Sequence, residues 1–184
     1  MNKPAIFLDR DGVIIENRAN YVLSWEDVEI FDEAIEALVR YAGSDYLFVI
    51  VTNQSPIGRG LLDLSVAQSI NEQLVNIIER RGGRIDRWTL CPHAPSDQCH
   101  CRKPEPGMLI EVANELNIDL SKSIMIGDAL TDLKAGMNAG VREVILLKTG
   151  RGLEQSKLPA AIEYPNAQHF DNLGQALDWF FQSD

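Results

Sequence analysis

Short uninterrupted apolar runs alternate along this chain with stretches whose apolar residues recur every three or four positions. The runs AIFLD at 5–9 and YLFVIVTN at 46–53 have no polar face. That suits strands buried on both sides, because a half-buried strand would alternate apolar with polar residues. Segments 85–91, 123–128 and 143–150 read the same way. The intervening stretches predict helices. Segment 32–44 places Ile35, Leu38 and Val39 on one face, and 65–83 begins at Ser65 as a cap and stops at Gly82 and Gly83. Segment 106–118 has Pro106 in its first turn, and 131–140 has Thr131 as its cap. Segment 167–182 predicts a short edge strand and a closing helix, whose Trp179, Phe180 and Phe181 exceed what one face can bury.

Strands alternating with helices predict an α/β fold: a parallel sheet with helices on both faces, joined by right-handed crossovers. No repeat, linker or low-complexity tract interrupts the 184 residues, so the whole chain, 1–184, is expected to form one domain. Composition changes this picture little, but charge narrows the partners. A net charge of −10 and a pI near 4.7 argue against nonspecific nucleic-acid binding. They leave room for an anionic small molecule, which local cations can hold. No apolar run is long enough for a membrane span, and the opening MNKPAIFLDRDG is not laid out like a secretory leader. With three cysteines crowded into one short stretch, a reducing cytoplasm is the expected location.

In parallel sheets ligands bind beyond the carboxyl ends of the strands, and polar residues gather there in this sequence. Asp9 and Asp11 follow the first run, Thr52, Asn53 and Gln54 close the second, and Asp128 and Asp132 follow the fourth. Two carboxylates two residues apart can bind a hard divalent cation such as Mg²⁺, or divide the roles of nucleophile and acid/base. A third carboxylate opposite them can complete a metal site. Thr52 offers a hydroxyl to an anion's oxygens and Lys103 a positive charge. Metal, acids, hydroxyl and lysine are together the parts that stabilise phosphoryl transfer.

The third run ends in CPHAPSDQCHC, in which C-x-H-x5-C-x-C supplies Cys91, His93, Cys99 and Cys101. Three thiols and an imidazole in two close pairs predict a closed tetrahedral Zn²⁺ site, structural rather than catalytic. His100 is the one plausible substitute for His93. A redox pair is disfavoured because C-x-x-C is absent.

The ordered set D-R-D-G-V (9–13), V-T-N-Q-S (51–55), R-K-P (102–104) and G-D-A-L-T-D (127–132) resembles the haloacid dehalogenase (HAD) superfamily of phosphatases. The resemblance spans about residues 5 to 150. It implies a Rossmannoid three-layer α/β sandwich, with Asp9 as the nucleophile that forms an aspartyl-phosphate and Asp11 as general acid and base. Thr52 and Lys103 would hold the phosphoryl oxygens, and catalytic Mg²⁺ would sit between Asp9, the backbone carbonyl of Asp11, and Asp128. Asp132 would be a supporting carboxylate. The zinc loop (91–101) directly before R-K-P is similar to that of the capless heptose-bisphosphate and histidinol-phosphate phosphatase family. That likeness implies a small phosphorylated sugar as substrate, with histidinol phosphate or another small phosphorylated metabolite as the alternative. No segment is long enough for a cap domain, so loops 13–30 and 53–61 and the zinc loop would shape access. Asn53, Gln54, Arg59, Arg102 and Lys103 are the expected substrate contacts, Glu16, Asn17, Arg18 and Tyr21 match family positions loosely, and a monomer without macromolecular partners is expected.

Overall fold

The computed structural model describes residues 2–183, apart from the side chain of Ser183. Six strands form one parallel sheet: β1 (Ala5–Leu8), β2 (Leu47–Asn53), β3 (Arg87–Cys91), β4 (Ile124–Gly127), β5 (Glu143–Leu147) and β6 (Gln168–Phe170). Their order is β3-β2-β1-β4-β5-β6. From β1 the chain fills one side of the sheet, then returns to lay β4 against the free edge of β1. The crevice between β1 and β4 is therefore the topological switch point at which such sheets bind ligands.

The helices are α1 (Asp32–Arg40), α2 (Ser55–Gly58), α3 (Leu64–Arg80), α4 (Gly107–Leu116), α5 (Leu130–Ala139), α6 (Gly152–Gln155) and α7 (Leu173–Ser183). Side-chain alternation in the strands sorts them into two layers. Ile6, Leu8, Phe48, Ile50, Ile124 and Ile126 face α1, α3 and α7, represented by Leu38, Leu74 and Phe180. Ala5, Phe7, Val49, Val51 and Met125 face α4 and α5, represented by Val112 and Leu133. All four residues of β1 are buried, as its unbroken apolar run requires.

Element ends differ from expectation where side chains redirect them. The second long helix starts after Asp63 rather than Ser65, and the one expected from Thr131 starts after Ala129. In the latter case Asp132 reaches back, its Oδ2 accepting the Ala129 N–H at 3.0 Å, which moves the cap two residues earlier. Ile35 and Leu38 are buried in α1, but Val39 is exposed. The short helices α2 and α6 follow strand ends and carry no periodic signal. In α7, Phe180 is buried, while Phe181 stacks on Tyr41 with ring centroids 4.3 Å apart and Trp179 lies 5.3 Å from Phe170. The aromatic surplus thus covers the seam between α7, α1 and β6. None of the described helices is long and apolar enough to cross a membrane.

Candidate active site

Asp9 stands one residue beyond β1, its backbone N–H held by the Ile126 carbonyl at 3.0 Å, so it sits on the rim of both central strands. Its Oδ1 lies 2.9 Å from Lys103 Nζ. The same ammonium lies 2.8 Å from Asp132 Oδ1 and donates to the Val51 carbonyl at 2.8 Å. Lys103 is nearly fully buried, and its three N–H bonds have three acceptors. Its backbone is clamped as well: Lys103 N–H donates to Asn53 Oδ1, and Asn53 Nδ2 donates to the Lys103 carbonyl, both at 3.0 Å. The end of β2 thereby fixes the segment that carries the lysine.

Asp11 occupies the other wall. Arg10 grips its carboxylate with a fork, Nε to Oδ2 and Nη2 to Oδ1 at 3.1 Å each. Oδ2 also accepts from Gln54 Nε2 at 3.1 Å and from the Thr52 hydroxyl at 3.3 Å. Asp128, at the end of β4, is fully buried. Its Oδ2 accepts from the Arg151 backbone N–H at 2.9 Å and from Asn17 Nδ2 at 3.2 Å, and its Oδ1 from Arg151 Nη2 at 3.1 Å. Two glycines let backbone crowd this carboxylate. A Cβ at Gly12 would lie 2.2 Å from Asp128 Oδ2, and one at Gly150 would lie 2.5 Å away. Both have positive φ, +85° and +55°, which side chains disfavour.

Asp9, Asp128 and Asp132 bring carboxylate oxygens within 4.8 Å of one another. Burial pushes the Asp9 carboxyl up to about 7 although Lys103 opposes the shift, and Asp132, Asp128 and Asp11 push the same way. Burial raises Asp128 too, reinforced by Asp132 and countered by Arg151. Burial works against the Lys103 ammonium, yet Asp132 and Asp9 outweigh it and hold its pKa above the usual value. Buried, closely spaced carboxylate oxygens suit a hard divalent cation with oxygen ligands, and Mg²⁺ fits that donor set. The Asp11 side chain is occupied by Arg10, Thr52 and Gln54, so a contribution from this residue to a metal would come through its backbone carbonyl.

A second cluster lies at the end of β3. Cys91, His93, Cys99 and Cys101 offer three sulfurs and a ring nitrogen within 4.8 Å of one another, and all three cysteines are free. Burial raises the Cys91 thiol, so a thiolate there needs a compensating cation, and the donor set could hold Zn²⁺. His100 is exposed and stands outside the cluster. The cluster is tied to the rim: Gln54 N–H donates to the Cys91 carbonyl at 2.8 Å, and Arg102 Nη1 donates to the His93 carbonyl at 3.3 Å.

A cleft of about 520 Å³ opens over the rim. Asp9, Asp11, Asn53, Gln54, Arg102 and Lys103 line it, together with Asn17, Arg18, Tyr21, Asp132 and Arg151. Thr52 is buried beneath, joined to the lining through Gln54 at 2.8 Å. Arg59 is exposed just beyond α2 and is absent from the lining. Sequence reasoning overlooked Arg151, although its signal was available: it follows β5 on the same rim as the other strand ends. It also overlooked Arg10, whose position between two acids reads as a solvated turn.

The parallel three-layer sandwich and the carboxylate and lysine rim define a HAD-like phosphoric monoester hydrolase, and a HAD-hydrolase-like family model matches residues 100–176. The chain is 38% identical to D-glycero-β-D-manno-heptose-1,7-bisphosphate 7-phosphatase of Photorhabdus laumondii, over 86% of this chain and 87% of that protein. It is 35% identical to the D-glycero-α-D-manno-heptose-1,7-bisphosphate 7-phosphatase of Campylobacter jejuni, over 100% and 99%. A crystal structure of D,D-heptose 1,7-bisphosphate phosphatase from B. bronchiseptica, complexed with magnesium and phosphate, superposes with a TM-score of 0.89 at 31% identity, covering 98% of this chain and 99% of that one. The chain belongs to the heptose-1,7-bisphosphate 7-phosphatase family.

Proposed function

We propose that the protein removes the 7-phosphate of D-glycero-D-manno-heptose 1,7-bisphosphate through an aspartyl-phosphate on Asp9. The observation that carries this reading is the buried Lys103 ammonium bridging Asp9 and Asp132 at the base of a cleft that also presents Arg18, Arg102 and Arg151. Neither Glu16 nor Asp27, the acids suited to the amine of histidinol phosphate, lines that cleft. Several cations around one cleft match a ligand with a phosphate at each end.

In the first step a carboxylate oxygen of Asp9 attacks phosphorus, and the bond from phosphorus to the sugar oxygen breaks. Protonated Asp11 gives its proton to the departing alkoxide. In the second step Asp11 takes a proton from water as the water oxygen attacks phosphorus. The acyl-phosphate bond then breaks, which frees inorganic phosphate and restores Asp9. Lys103 provides fixed positive charge for the phosphoryl oxygens, and the Thr52 hydroxyl would turn from Asp11 to donate to them. Asp9, the Asp11 carbonyl and Asp128 would hold Mg²⁺, which would supply charge to offset repulsion between a phosphate dianion and these carboxylates. Cys91, His93, Cys99 and Cys101 would hold Zn²⁺ as a clamp that presents Arg102 and Lys103, and unoxidised cysteines suit the cytoplasm.

The test is a side-by-side assay of both anomers of heptose 1,7-bisphosphate, fructose 1,6-bisphosphate and histidinol phosphate. A kcat/KM on one heptose anomer at least tenfold above the other compounds supports the proposal. Comparable rates on all of them would reduce the protein to a generic phosphatase.

A further inference from the structure

Arg10 is the bulkiest fully buried side chain among the described residues, 1% exposed. Its Nε and Nη2 fork the Asp11 carboxylate, while Nη1 donates to Asn71 Oδ1 at 2.8 Å. Asn71 is also 1% exposed and lies on α3 among Ile70, Leu74 and Ile78, which pack into the core. Its Nδ2 is buried with no hydrogen-bond partner, so acceptance from Arg10 is the one bond its amide makes among the described residues. A guanidinium and an amide buried at this position lose their hydration, and core packing alone would be better served by apolar side chains. A fork fixes both the position and the plane of a carboxylate, and the bond that Arg10 donates to Asn71 fixes the plane of the fork.

We propose that Arg10 and Asn71 are positioning residues: α3, through Asn71, orients Arg10, and Arg10 sets where the Asp11 carboxyl stands relative to the leaving oxygen. This rests on the reading of Asp11 as proton donor. The consequence is specific to the leaving group. A sugar alkoxide needs the proton that Asp11 delivers, whereas 4-nitrophenolate departs without one. Misplacing the acid by a fraction of an ångström therefore slows aspartyl-phosphate formation from the sugar and spares its formation from the aryl ester, whereas the later hydrolysis, in which Asp11 is the base, is shared by both.

The experiment compares the single-turnover rate of leaving-group release from heptose 1,7-bisphosphate with that from 4-nitrophenyl phosphate, which reads the first step ahead of the shared hydrolysis, for the wild type, Asp11→Asn, Asn71→Leu, Asn71→Asp and Arg10→Met, with folding checked by thermal melting. Asp11→Asn should lose about 100-fold or more on the sugar relative to the aryl ester. Asn71→Leu should shift the same ratio by about tenfold or more, with the sugar KM unchanged. Asn71→Asp keeps an acceptor for Arg10 and should keep the wild-type ratio. Should Arg10→Met fail to fold, the two Asn71 variants decide alone. A discriminating Asp11→Asn beside an Asn71→Leu that slows both substrates alike, or neither, overturns the positioning role. An Asp11→Asn that does not discriminate removes the proton-donor assignment, and the positioning role falls with it.

Discussion

Asp128 is pressed by backbone on two sides, from Gly12 and from Gly150, and its oxygens are taken up by Arg151 and Asn17. Gly12→Ala would force a side chain into a positive φ and drive its Cβ onto that carboxylate. It should cost about 2 kcal/mol or more in urea unfolding, and lower turnover besides. Asp9→Asn should cut kcat by at least about 1000-fold while the protein melts as before or higher, since it relieves a buried carboxylate cluster. A variant that turns over at near-normal rate would sink the nucleophile assignment. At this scale the sequence was most readable where residue type and strand end coincide. Asp9, Asp11, Thr52 and Asp128 each follow or close an apolar run, and the structure brings them to one rim. Arg59 was not readable in the same way, because no periodic signal fixes the path of a loop after a four-residue helix. Arg10 was missed because local pattern carries no sign that a turn arginine is swallowed by a core contributed from α3.

Among the elements, the loop after β3 joins two functions in one short segment. Cys99→Ser should lower bound zinc and reduce stability by more than about 2 kcal/mol, read by metal analysis and thermal unfolding of the same sample. A protein purified without zinc, and equally stable with the substitution, would refute the clamp. At the opposite side of the sheet α7 is fastened to α1 by Asp178, which accepts from the Tyr41 hydroxyl at 2.8 Å and pairs with Arg40. The Arg40 hydrogen bond, followed by the Tyr41 bond, holds the Asp178 carboxyl below its usual value. A depressed carboxylate stabilises the fold above its unfolded pKa, near 3.9, and that contribution fades as pH falls through the lower folded value. Asp178→Asn should therefore cost about 0.5 kcal/mol at pH 7, a modest figure because the pair is half exposed, with the difference shrinking only below about pH 4. A constant cost down to pH 3 would assign the effect to packing instead. Helix starts were legible to within a residue or two. They moved where a side chain such as Asp132 competes for the cap, a choice set by tertiary contacts as much as by the cap residue's own preference.

For the molecule as a whole, the acidic balance of −10 coexists with a cleft that gathers Arg18, Arg102, Lys103 and Arg151, because net charge is a sum over the chain and the cleft is local. Strand and helix alternation made the three-layer class legible. Strand order was not, because nothing within an apolar run names its neighbour; it follows from the need to set β1 between β2 and β4. The two proposed metals differ in ligand hardness, so they should part under chelation. EDTA should abolish turnover and added Mg²⁺ restore it, with zinc still bound in the same preparation by elemental analysis. Loss of both metals together, or no inhibition, would contradict that division. The siting of the thiols also has a consequence for durability. Asp9, Asp11, Thr52 and Lys103 resist peroxide, whereas Cys91, Cys99 and Cys101 do not, and Lys103 is joined to Cys101 through Arg102 alone. Oxidative ageing of this enzyme would begin at sulfur, remote from any bond it breaks, and would reach catalysis only by loosening the anchor of its lysine.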